Sequence, residues 1–125
     1  MSLKPIAATL ASLALAPAAL AQAPAAPLSP EASDARCVVV LGFIAAQPNQ
    51  PADKLSALRA GSMYYVGKLK GRSAGLDIPA TLNRAAQQAQ AAKVDVRTEA
   101  ARCGRELTAI SQIATARARA AAPKK

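Results

Sequence analysis

The chain has two cysteines, Cys37 and Cys103, and the second stands on a helical seam. Val96, Ala100, Cys103, Leu107, Ile110 and Ala114 step by four, three, four, three and four. That is the heptad spacing of a helix lying along its neighbours in a bundle. If Cys37 bonds to Cys103, the helix around Cys37 must pass beside the seam, so the thiols and the apolar pattern specify one arrangement. An intermolecular bridge or two free thiols are the alternatives. A metal pair fits less well, because a zinc site wants four ligands and the chain has no histidine.

The bridge requires an oxidising compartment, and the first residues point to one. Lys4, an apolar run from Ile6 to Ala16, Pro17 and then Ala19-Leu20-Ala21 have the order of a secretory signal peptide with a small-x-small cleavage site. The run falls short of the roughly 20 apolar residues a spanning helix needs. Cleavage after Ala21 leaves 104 of the 125 residues, enough for one small domain and with no transmembrane span. Much of its apolar content is alanine, and a core that thin calls for a staple.

The rest of the chain divides by its punctuation. Residues 22–29 are an Ala/Pro-rich leader expected to be disordered. Ser29-Pro30-Glu31 has the form of a helix start, giving helix 1 from Pro30 to Ala46. VVVLGFI alone suits a buried strand equally well, but length and the lack of a second strand-like run decide for helix. Helix 2 is expected from Pro51 to Lys70, with Gly71 just past its end and Gly61 and Gly67 letting a neighbour approach. Asp77 caps helix 3, Ile78 to Ala92, and Asp95 caps helix 4. The expected fold is all-α: a small four-helix bundle over residues 30–116, stapled by one disulfide, with a basic flexible tail over 117–125.

RAGSMYYVGKLKGRSAGLDI, Arg59 to Ile78, concentrates aromatic, glycine and basic residues and invites a search for chemistry. It is not a phosphate-binding P-loop, having five residues between Gly61 and Gly67 and Leu69 where a hydroxyl must stand. Tyr65 is expected to fill the core and Tyr64 to lie at its margin, with a candidate groove beside the two. No histidine is available as a base, and most of the seven acids have simpler roles as caps or intrahelical partners, such as Glu99 and Glu106 with Arg102. The reading is therefore of a protein that is not an enzyme, with no catalytic residues, no metal and no cofactor.

Charge is the remaining feature. The chain carries 16 basic and 7 acidic residues, and the excess falls in its second half. The surface expected to contact an anionic partner is Lys68, Lys70, Arg72, Arg102, Arg105, Arg117 and Arg119. The partner classes are lipid headgroups, lipopolysaccharide or an acidic protein of the envelope. Nucleic acid is disfavoured, since no aromatic residues are interleaved with the basic ones for stacking.

The segments ARCVVVLGFIAA, MYYVGKLKGRSAGLDI and EAARCGREL resemble uncharacterised small exported alphaproteobacterial proteins with two cysteines. The likeness covers Ala35 to Leu107 and implies a periplasmic all-helical fold. The placing of one cysteine in the first helix and one in a late helix is also similar to the HdeA-type periplasmic acid chaperones, which makes a stress chaperone the alternative function. The departure is in charge: those chaperones switch by protonating carboxylates, whereas this chain is cationic at every pH.

Overall fold

A computed structural model describes residues 27–122. The expected signal peptide, most of the leader and the last three residues lie outside the described residues. Four helices follow in order: α1 (Pro30–Ala45), α2 (Ala52–Arg72), α3 (Ile78–Ala91) and α4 (Val96–Ala121). Each start has its local cause. The Ser29 hydroxyl accepts from the Ala32 N–H at 3.1 Å, Asp77 from Ala80 at 3.0 Å and Asp95 from Thr98 at 2.7 Å. Each acceptor satisfies a backbone donor that has no intrahelical partner. Pro51 precedes α2 without a side-chain cap.

α1 is the central element and packs against all three others. This explains why its sequence lacks a clean amphipathic period: Ala35, Cys37, Val38, Val40 and Leu41 are all buried, facing different neighbours. The core joins them to Tyr65 and Leu69 of α2, Ala85 of α3 and Cys103 of α4. The Cys37–Cys103 disulfide is formed, with both residues fully buried and the Cα atoms 5.7 Å apart. No helix among the described residues is long and apolar enough to cross a membrane.

Three local expectations are corrected. Gly71 lies inside α2 rather than beyond it, and Ser73 ends the helix in an extended conformation. Lys70 makes this workable, because its ammonium donates to the carbonyls of Ala74 and Leu76 in the following turn. A cation thus satisfies the turn that a left-handed glycine was expected to shape. Gly67 has open space where a Cβ would stand, so no neighbour approaches it. Gly61 does meet neighbours: a Cβ there would fall 2.7 Å from a Leu107 methyl and 3.2 Å from one of Leu41. Gly67→Ala is accordingly expected to stabilise the fold by roughly 0.5–1 kcal/mol, read from the urea midpoint.

The third correction concerns α4. It continues through Arg117 and Arg119 to Ala121, where a flexible tail was expected from residue 117. Alanine and arginine are both strong helix formers, and no glycine or proline occurs between Gly104 and Pro123. The seam is covered only in its first half. Val96, Ala100 and Leu107 are half-buried and Cys103 is buried, whereas Ile110 and Ala114 are exposed, as is every residue from 108 to 121.

Candidate functional site

Where α1, α2 and α4 meet, charged and phenolic groups form one connected network. Asp34 enters from the first turns of α1 and is buried, its side chain only 4 % exposed. Lys68 and Arg72, one turn apart on α2, both pair with it, the lysine at 2.8 Å. Lys68 also bridges to Glu106 of α4, so a single ammonium ties three helices together. Tyr64 donates its hydroxyl to Glu106 at 3.1 Å. The Tyr65 hydroxyl donates to the Cys103 carbonyl at 2.9 Å and also meets Glu106. The Lys68 ammonium sits 5.6 Å from the Tyr64 ring centre and 5.3 Å from that of Tyr65, within cation–π range.

Beside this network Arg102 pairs with Glu99 at 2.7 Å and donates to the Ser33 carbonyl and to Cys37 Sγ, each at 3.0 Å. The expected Glu99–Arg102 pair is present. Glu106, expected to pair with Arg102, takes Lys68 and the tyrosines instead, because those donors reach it from α2.

The environment shifts three of these groups, and burial together with the hydrogen bond and charge of Glu106 raises the Tyr64 phenol above its ordinary value. Burial drives the Glu106 carboxyl up, but hydrogen bonds from Lys68, Tyr64 and Tyr65 outweigh it and hold the group below its ordinary value. Burial, reinforced by the charge of Glu106, pushes the Tyr65 phenol up to about 12. The signs of the pH dependence follow. A carboxyl depressed in the folded state stabilises the fold above the ordinary carboxylate range, and that contribution is lost as pH falls through the folded value. A phenol raised in the folded state stabilises below its ordinary value near 10, and the contribution is lost as pH rises toward 12. Ultraviolet titration is therefore expected to show Tyr65 ionising only well above pH 10, close to alkaline unfolding. Ionisation of both tyrosines near pH 10 in folded protein would contradict the network.

The seven basic residues expected to form one contact surface do not act alike. Lys68 and Arg72 pair with Asp34, Arg102 with Glu99, and Lys70 with backbone carbonyls of the next turn. Arg105, Arg117 and Arg119 on α4 are exposed and in no salt bridge among the described residues. Of the two groove residues, Tyr65 is fully buried and belongs to the core, as expected. Tyr64 lines an open groove of about 560 Å³ between α2 and α4, with Ala57, Ala60, Gly61, Leu107 and Ile110.

Sequence reasoning missed Asp34 and Glu106 as organisers of the site. The available signal was Asp34 itself, an acid beside Ala35 and Cys37 at the start of an apolar run, with Lys68 and Arg72 four residues apart as its counter-charges. No protein-family model, no curated protein and no solved structure matches the chain.

Proposed function

We propose that this is an exported, periplasmic or secreted, non-catalytic binding protein of the cell envelope, whose basic surface meets an anionic partner. The observation that carries the reading is the second half of α4. Residues 108–121 are exposed throughout, and the charges they carry are Arg117 and Arg119, with Arg105 more than three turns before Arg117. No acid follows Glu106 in the sequence, and Lys124 and Lys125 add to the same end. An extended cationic element with no internal counter-charge attracts anionic surfaces, each basic residue contributing on the order of 1 kcal/mol at a charged lipid surface.

Because Lys68, Arg72 and Arg102 are engaged inside the fold, the contact rests on Arg105, Arg117 and Arg119. Co-sedimentation with anionic and with neutral vesicles tests the reading. Binding to the anionic vesicles alone, lost as salt rises, supports it; indifference to both vesicle charge and salt overturns it.

One observation favours a second reading, the acid-stress chaperone. Asp34 and Glu106 hold Lys68 and Arg72 where α1, α2 and α4 meet, and Glu99 holds Arg102 on α4, so protonating these carboxylates in strong acid leaves the cations without counter-ions. That reading requires the protein to suppress aggregation of an acid-denatured client at about pH 2 to 3, where its carboxylates are protonated. Absence of suppression at equimolar amounts removes it.

A further inference from the structure

Phe43, the single phenylalanine of the chain, is 54 % exposed near the end of α1. It stands between two apolar clefts and lines both. The first, about 280 Å³, is walled by Val39, Val40, Ala86, Ala89, Val94 and Val96, from α1, α3 and the approach to α4. The second, about 920 Å³, continues past Val96 over Leu41, Ile44, Leu58 and Leu107. The first cleft alone lies at the small end of the range of small-molecule sites, and its walls are mostly aliphatic.

The rim has one sign of charge. Lys93 borders the first cleft, and Lys54 and Arg97 the second, while no Asp or Glu lines either. None of the three cations is in a salt bridge among the described residues. The nearest acids in sequence, Asp53 beside Lys54 and Asp95 between Lys93 and Arg97, line neither cleft, and Asp95 caps α4 through Thr98. Lys93 is also one of two non-glycine residues with positive φ among the described residues, at 48°, a conformation disfavoured for a lysine. That left-handed turn sets Lys93 on the mouth of the cleft with the neighbouring Val94 in its wall.

The geometry points to a binding site for a single-chain anionic amphiphile, a medium-chain fatty carboxylate, with its alkyl chain along Phe43 and its carboxylate at Lys93. The apolar walls supply affinity in proportion to the area they bury. The cationic rim selects an anionic over a neutral head group. Arg105, Arg117 and Arg119 line neither cleft, so the site does not depend on them.

The test is calorimetric titration with decanoate and with decanol, each below its micelle or solubility limit. Decanoate is expected to bind with a dissociation constant below about 1 mM, and decanol about tenfold more weakly. Lys93→Glu should remove most of that preference, and Phe43→Ala should weaken decanoate about fivefold or more. Both residues are exposed, so neither change removes core packing; unchanged circular dichroism and an intact disulfide confirm the fold. Equal affinity for acid and alcohol, decanoate binding unaffected by Phe43→Ala, or no saturable binding each overturns the assignment.

Discussion

Replacing Cys37 and Cys103 together by serine is expected to cost about 4 kcal/mol and to leave a large fraction of the protein unfolded at 37 °C. The bond joins residues 66 apart, and on the chain-entropy account a loop of that size removes about 4 kcal/mol of freedom from the unfolded chain. A domain of this size has a total stability of only about 5–10 kcal/mol. The rest of the core cannot make up the difference. Apart from the cysteines, its fully buried large side chains are Tyr65 and Leu69, and the remainder is valine, alanine and a leucine. The loss also acts on α4, which reaches the core through Cys103 and the half-buried Leu107 and is otherwise held by the Lys68–Glu106 bridge, the Tyr64 and Tyr65 hydroxyls and the Arg102 contact with the Ser33 carbonyl. Urea unfolding of the oxidised and double-serine proteins measures the effect. A difference under about 1 kcal/mol would mean that the staple is incidental.

The second large effect is expected at Asp34. Asp34→Asn keeps the shape and removes the charge, leaving Lys68 and Arg72 beside each other with no buried counter-ion. Removing one partner of a fully buried pair costs about 3–5 kcal/mol. Lys68 is 24 % exposed and Arg72 41 %, so water screens part of that cost and about 2 kcal/mol is expected. Lys68→Met should cost less than Asp34→Asn, because Asp34 then keeps Arg72. A double variant, D34N/K68M, should recover part of the loss by removing the unbalanced ammonium. Equal stability of wild type and Asp34→Asn would show that the three-helix junction is held by its apolar contacts alone.

The helices and their caps were legible because each carries a local signal. Ser29, Asp77 and Asp95 stand where a side-chain oxygen can meet the N–H three residues on, and each does so. The pairing of Cys37 with Cys103 followed from two thiols and one seam. What was not legible depends on distant parts of the chain. Gly71 looks like a helix end until Lys70 is seen to serve the following carbonyls. The VVV run of α1 has no clear period because α1 is contacted from three sides. The seam of α4 predicts a partner along its whole length, yet coverage stops at Leu107.

The candidate site was legible in composition and not in grouping. Charge marked Lys68, Arg72 and Arg102 as surface cations, and spacing gave the Glu99–Arg102 pair, whereas only the fold brings Asp34 to Lys68 and Arg72. Asp34 and Lys68 are 34 residues apart in the chain, and Lys68 and Glu106 are 38 apart, so no local pattern encodes either pair. The exposed cations of α4 are the part of the expected surface that remains available to a partner.

The measurement that tests this most directly compares two charge changes in one vesicle-binding assay. R105E/R117E/R119E alters the exposed arginines of α4, and K68M alters the lysine tied inside the fold. At low salt the triple variant is expected to lose binding to anionic vesicles while keeping the wild-type melting temperature, and K68M to melt lower while still binding. Full binding by the triple variant would contradict the assignment of α4 as the contact element.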